Sequence, residues 1–188
     1  MSDEIWQAFS QRVAYVDNLP VALEPRHART IGADLFEERN LHVLGTLATL
    51  EERRLEAGRT EAGDDAAAVM QELVRLDNKL NVLMDIVGRL LMPDGDLPPR
   101  SPIRLNALGA EIPSELCAGR DTSYFLRIHF DACRALPLML PASYGCSCGP
   151  DRVFLSFEGL KPAVEEGMEK LVFRQHRRKV AEARQAGP

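Results

Sequence analysis

The sequence predicts an α+β fold, in which a small antiparallel β-barrel carries an inserted pair of helices and is followed by a closing helix. Three observations predict this fold. Residues 64–92 place apolar side chains at a seven-residue repeat, residues 97–160 contain short β-prone runs separated by turn residues, and the chain after Pro162 returns to helical spacing. We expect the barrel and its closing helix to comprise residues 1–35 and 97–188, and the helical module to comprise residues 36–93.

Composition and charge exclude several classes of protein. The chain has 188 residues, of which 45% are hydrophobic and 27% charged, and its net charge of −5 argues against nucleic-acid binding. The amino terminus has no basic region followed by an apolar stretch, and no run of about 18 apolar residues occurs. We therefore expect neither a secretory signal nor membrane insertion, and we expect the four cysteines to be reduced thiols in the cytoplasm.

The first predicted element is a strand from Val13 to Leu23, where Pro20 favours an edge strand or a bulge. Two helices follow, since residues 36–92 contain no proline and are rich in helix-forming residues. Glycines at positions 58 and 63 divide them, which predicts one helix over residues 36–57 and another over residues 64–92. The sequence from Pro93 to Gly95 ends the second helix.

The second helix carries an uninterrupted apolar seam. The seam residues are separated by three or four positions in alternation, and they are Ala66, Val69, Leu73, Leu76, Leu80, Leu83, Val87 and Leu90. This spacing places all of them on one helix face, and a strict seven-residue repeat predicts a coiled coil. Leu73, Leu80 and Val87 then occupy the a positions of the repeat.

The apolar face is wider than a two-stranded coiled coil requires, because further apolar residues occupy the flanking e and g positions; they are Met70, Met84, Ile86 and Leu91. One interpretation is an antiparallel hairpin with the first helix, whose less regular stripe is Leu44, Leu47, Leu50 and Leu55. The other is a bundle of several chains. Because each large seam side chain left in water forfeits about 1.5–3 kcal/mol, we expect a homo-oligomer. Our preferred state is a tetramer, with a dimer and either helix orientation left open.

The region after the helices changes to short β-prone runs, which are residues 103–112, 124–130, 136–146 and 153–157. Evenly spaced short strands predict a small antiparallel barrel. The closing helix begins at Pro162, and its predicted inner face consists of Val164, Met168, Leu171 and Val172. Its basic end, residues 174–184, is either solvated or in contact with an anionic ligand or partner.

No catalytic or metal-binding pattern is present in the sequence. Cys146 and Cys148 lack the second matched pair that zinc sites usually have, and none of the four histidines lies at ligand spacing from another. We interpret His129 as either a surface histidine or a hydrogen-bonded core histidine. The sequence therefore predicts no catalytic residue, metal or cofactor, and the chain is not expected to be an enzyme.

Three segments resemble the PilZ domain, a six-stranded barrel that serves bacteria as a receptor for cyclic di-GMP. Residues 19–23 (LPVAL) resemble its first strand, residues 104–110 (RLNALGA) its second binding motif, and residues 154–160 (FLSFEGL) its last strand. A two-helix insert between the first and second strands is similar to the atypical, tetramer-forming branch of the family. The resemblance implies cytoplasmic signalling through unidentified protein partners, in motility, adhesion or virulence.

The residues that bind the messenger in this family are only partly present. The family has two arginines four positions apart before its first strand, whereas this chain has Arg12 alone, with Ala8 and Val16 at that spacing. In the second motif the glycine is Gly109, but Asn106 and Arg104 replace the other polar residues. Because affinity depends on a few such anchors, we expect cyclic di-GMP not to bind in the usual mode. The alternative is a receptor with a non-standard site.

Overall fold

The computed structural model describes residues 2–26, 33–57, 64–117 and 123–185. Four α-helices and six strands occur in these residues. In chain order they are α1 (Ser2–Gln11), β1 (Tyr15–Pro25), α2 (Ala33–Ala57), α3 (Asp64–Leu91), β2 (Arg100–Asn106), β3 (Gly109–Pro113), β4 (Ser123–Ile128), β5 (Leu138–Ser147), β6 (Arg152–Phe157) and α4 (Pro162–Gln185). The predicted bounds of α2, α3 and α4 are confirmed to within three residues.

The six strands form a closed antiparallel barrel in the order β1-β2-β3-β6-β5-β4. The strand β1 closes it, because residues 15–20 pair with β2 and residues 21–25 pair with β4. The expectation that this segment is an edge strand is therefore wrong. Pro20, which has no backbone N–H to donate, lies where β1 changes from one partner strand to the other.

The β-prone run over residues 103–112 is a hairpin of β2 and β3 rather than one strand. The side-chain carbonyl of Asn106 accepts a hydrogen bond of 2.9 Å from the backbone N–H of Leu108, which is a local turn that asparagine favours. Gly109 follows, and a Cβ atom there would lie 2.3 Å from the carbonyl oxygen of Leu155. The close approach of β3 to β6 thus requires glycine at this position.

Two helices cover the barrel and share its core. The predicted inner face of α4 is confirmed, since all four of its residues are buried. The helix α2 packs on α4 where Gly167 faces Leu44, and a Cβ atom at Gly167 would lie 2.9 Å from the Leu44 side chain. Leu44 and Leu47 belong to this core. The interpretation that places them in a hairpin stripe against the second helix is wrong for these two residues, because the core of the barrel and α4 buries them. The side chains of Leu50 and Leu55, the other residues of that stripe, lie outside the described residues.

Candidate functional site

The described part of α3 carries an exposed apolar seam. Six of the seven large seam residues are described, and each side chain retains about half or more of its surface in water: Leu73 (54%), Leu76 (49%), Leu80 (56%), Leu83 (59%), Val87 (47%) and Leu90 (76%). Val69 lies in α3, but its side chain is outside the described residues. Since the six positions repeat at intervals of three and four, they form one stripe along the helix.

The seam is widened by neighbouring side chains at its carboxyl end. Ile86 is 48% exposed and Leu91 is 70% exposed, as expected for the flanking g and e positions of the repeat. Val82, which the sequence analysis did not single out, is 59% exposed. Contiguous exposed apolar surface of this kind is typical of a protein interface. No helix among the described residues has the length and hydropathy required to cross a bilayer.

The seam helix passes close to the barrel near its carboxyl end. A Cβ atom at Gly88 would lie 3.3 Å from Cγ of Arg134, in the segment between β4 and β5. The backbone carbonyl of Arg134 accepts a 2.7 Å hydrogen bond from Nδ1 of His129, so Nδ1 holds the proton and Nε2 is free to accept from Arg127, 3.3 Å away. His129 is fully buried, which confirms the core-histidine alternative.

Burial lowers the pKa of His129 from its ordinary value. The hydrogen bond to the Arg134 carbonyl acts in the opposite direction, and the charges of Arg127 and Arg39 add to the lowering. The neutral ring is therefore the folded form near neutral pH. Among the described residues, no group of three or more His, Cys, Asp or Glu side chains is placed to hold a metal ion.

The residues predicted from the second binding motif lie at the β2–β3 hairpin, and α1 covers them. Arg104 donates a 3.1 Å hydrogen bond to the carbonyl of Ser10, and its guanidinium lies 4.9 Å from the ring centroid of Phe9. Asn106 donates a 3.3 Å hydrogen bond to the carbonyl of Phe9. Both side chains thus bind the carboxyl end of α1, where the helix dipole favours positive charge.

Aromatic packing fixes α1 in this position. Phe9 is completely buried, and its ring lies 4.9 Å from that of Phe154 and 5.6 Å from that of Trp6. Arg104 also pairs with Glu111 across the hairpin at 3.4 Å. The helix α1 was not predicted from the sequence. Its signal was the spacing of Ile5, Trp6 and Phe9, which places apolar side chains on one face of a helix.

Arg12, the remaining predicted binding residue, is exposed and directly follows α1. It lines a groove of about 440 Å³ together with Asn106, Val13 and residues of α4. The structure therefore places Arg12 and Asn106 on one groove, whereas Arg104 and Gly109 lie in the packed contact between the hairpin and its neighbours. No second arginine lies at the spacing that the binding pattern requires.

The chain matches a known protein family and is similar to solved structures. A family model described as "Atypical PilZ domain, cyclic di-GMP receptor" matches residues 44–185. Among solved structures, a pathogenic protein from Xanthomonas campestris, described as a new tetrameric PilZ domain self-assembled via an unusual helical bundle, is similar with a TM-score of 0.63. The two chains are 20% identical, and the similarity covers 92% of this chain and 93% of that one. No curated protein matches the sequence.

Proposed function

This chain belongs to the atypical PilZ domain family, a family of cyclic di-GMP receptors, and we propose that it acts there as a non-enzymatic scaffold that self-assembles through α3. The observation that carries the proposal is the seam. Six large apolar side chains of one helix face stay at least 47% exposed in the single chain. At about 25 cal/mol per Å² of apolar surface, such a face gains stability only by finding a partner surface.

The partner surface that we propose is the same helix in other copies of the chain. A seven-residue repeat is self-complementary, because each seam residue inserts between residues of an identical seam. The exposed Ile86 and Leu91 widen the face beyond what two strands cover, which favours four chains over two. The tetrameric helical bundle described for the Xanthomonas campestris protein supports this arrangement.

We further propose that the barrel does not bind cyclic di-GMP in the usual mode of the family. Arg104 and Asn106 already donate hydrogen bonds to α1, and Phe9 occupies the space over the Arg104 guanidinium. A messenger molecule that used these groups would have to displace a fully buried phenylalanine. Burying a side chain of that size stabilises a protein by about 1.5–3 kcal/mol, so displacement lowers affinity by at least tenfold.

The competing function is that of a receptor with a non-standard site, and the groove at Arg12 and Asn106 is the place for it. Calorimetric titration with cyclic di-GMP separates the two functions. We expect no binding at micromolar concentration. Binding at that level, lost in an Arg12→Ala variant and retained in an Arg75→Ala variant on α3, would establish the receptor instead.

The proposed scaffold works in the cytoplasm and presents its barrels to protein partners. None of the four cysteines, all of which the structure describes, forms a disulfide, as is usual for proteins of a reducing compartment. Motility, adhesion or virulence is the setting that we propose. Deletion of the gene, followed by complementation with the wild type or with an assembly-deficient Leu80→Asp variant, tests whether those processes require assembly.

A further inference from the structure

A second exposed apolar surface lies where the chain passes from α1 to β1, beside α4. Val13 is 50% exposed, Val16 is 46% exposed and Phe173 is 60% exposed. We name this surface, together with the cations Arg12, Arg177 and Lys179, the Phe173 face. It shares no residue with the seam of α3.

The Phe173 face is held together by contacts between β1 and α4. The backbone of Val16 exchanges two hydrogen bonds of 2.9 Å with the buried side chain of Gln175, and Nζ of Lys179 donates a third to the Val16 carbonyl at 2.8 Å. The guanidinium of Arg177 lies 5.9 Å from the centroid of the Phe173 ring. Val16 and Phe173 therefore lie on the regular backbone of β1 and α4.

A groove opens between the apolar members of this face. Val13 and Phe173 form parts of its walls, and Ala107 and the nearly buried Val172 line it as well. Its volume of about 440 Å³ lies within the range of pockets that bind small organic groups. A groove of this size has room for one large apolar side chain and part of its backbone.

Two cations, Arg12 and Lys170, and two carboxylates, Glu166 and Glu169, line the groove itself, and the excess positive charge lies at its rim on α4. Residues 170–181 of α4 contain five lysines and arginines and no carboxylate. Arg12 adds a further exposed cation, and among the described residues it forms no ion pair. Of the two carboxylates that line the groove, Glu166 is paired with Lys170 at 2.7 Å. Glu169, the other one, forms no ion pair with any residue that the structure describes.

We propose that the Phe173 face docks an acidic segment of a partner protein, which inserts one large apolar side chain into the groove and sets its carboxylates against Arg12 and Arg177. This proposal rests on the proposed scaffold function, because it names the chemistry of the scaffold's partner protein. It does not require assembly through α3. A flat anionic bilayer fits this face less well, because the apolar walls of the groove are concave.

The test uses synthetic peptides as probes. One series carries a single Phe, Leu or Trp followed by a run of glutamates, and a matched series carries lysines in place of the glutamates. Binding to the full-length protein is followed by fluorescence anisotropy of a labelled peptide. We expect the glutamate series alone to bind, and we expect a tenfold rise in salt concentration to weaken binding, because exposed charges are screened.

Variants assign the binding to the groove. Phe173→Ala and Arg177→Glu change exposed residues, so both should fold, and each should weaken the glutamate peptides by about tenfold or more. Tyr144→Ala, which removes an aromatic side chain that is 43% exposed and does not line the groove, should leave affinity unchanged. Leu80→Asp should also bind like the wild type, so failure of the docking site and failure of α3 assembly are separate results.

Four results of the peptide and variant experiments would overturn the proposal, and a fifth concerns vesicles. They are no binding by any glutamate peptide, equal binding by the lysine series, full affinity in Phe173→Ala, and self-association of Leu80→Asp that Phe173→Ala removes, which would assign the face to a second copy of the chain. Binding of phosphatidylglycerol vesicles without binding of any peptide would assign it to a membrane surface and would equally overturn it.

Discussion

Replacing Leu80 with aspartate should dissociate the assembly. Leu80 lies at the centre of the seam and is 56% exposed in the single chain. Full burial of a leucine side chain is worth about 1.5–3 kcal/mol, so burial of the exposed part in a bundle contributes about 1–1.5 kcal/mol per chain. By the same reasoning the six described seam residues together contribute roughly 5–10 kcal/mol per chain, as an upper value.

The aspartate removes the leucine contribution and adds a larger cost. Taking an unpaired carboxylate out of water costs several kcal/mol, and a bundle of identical chains brings the same charge together at one level of the seam. The summed penalty for each chain is comparable to what the whole seam contributes. Molar mass measured by light scattering should therefore fall to that of one chain, while far-UV circular dichroism reports whether the helices remain.

A matched control adds the same charge on the other side of the helix. Asn78 is at the f position of the repeat, two residues from Leu80, so Asn78→Asp should leave the mass unchanged. Leu80→Ala, which removes apolar surface without adding charge, should weaken the assembly without abolishing it. An unchanged mass for Leu80→Asp would refute the proposed interface, and so would equal dissociation by Asn78→Asp.

Three further predictions concern the barrel. Gly109→Ala should lower the free energy of unfolding by about 1–3 kcal/mol, because its Cβ would meet the Leu155 carbonyl at 2.3 Å. In Gly45→Ala, in α2, the added Cβ meets no atom within 4 Å, so this variant should raise the free energy of unfolding by about 0.5–1 kcal/mol. Urea denaturation measures both changes. Phe9→Ala should cost about 3–5 kcal/mol and shift the fluorescence of Trp6 to the red, and an unchanged spectrum would contradict the packing of α1. Because the pKa of His129 is lowered in the folded protein, the unfolded chain takes up a proton first as the pH falls below about 6.5. The free energy of unfolding should therefore decrease by up to about 1.4 kcal/mol per pH unit in that range. His129→Gln should lose this pH dependence, and an identical slope in both proteins would contradict the prediction.

Local patterns in the sequence predicted the elements whose contacts lie within one segment. The helix α3 was predictable because its seven-residue repeat is complete within 28 residues. The inner face of α4 was predictable for the same reason, since Val164, Met168 and Leu171 recur at helical spacing. The residue pattern alone did not indicate the turn between β2 and β3, because Ala107 and Leu108 are apolar; the pairing of the two strands and the bond from Leu108 to Asn106 show it.

The surroundings of the predicted binding residues depended on contacts between distant parts of the chain. Arg104 and Ser10 are 94 positions apart, and nothing in either segment indicates that they meet. Likewise, Leu44 resembled a seam residue because apolar spacing alone does not distinguish a helix that packs on its own barrel from one that packs on another chain. The structure distinguishes the two, because the barrel is closed and Gly167 of α4 lies against Leu44, so that Leu44 packs within its own chain.

The molar mass of the unmodified chain, measured by light scattering over the micromolar concentration range, tests the central claim most directly. Assembly through α3 predicts a constant mass of four chains that begins to fall only on dilution. A mass of one chain throughout that range would contradict it, because the exposed seam of α3 would then have no copy of itself to cover it.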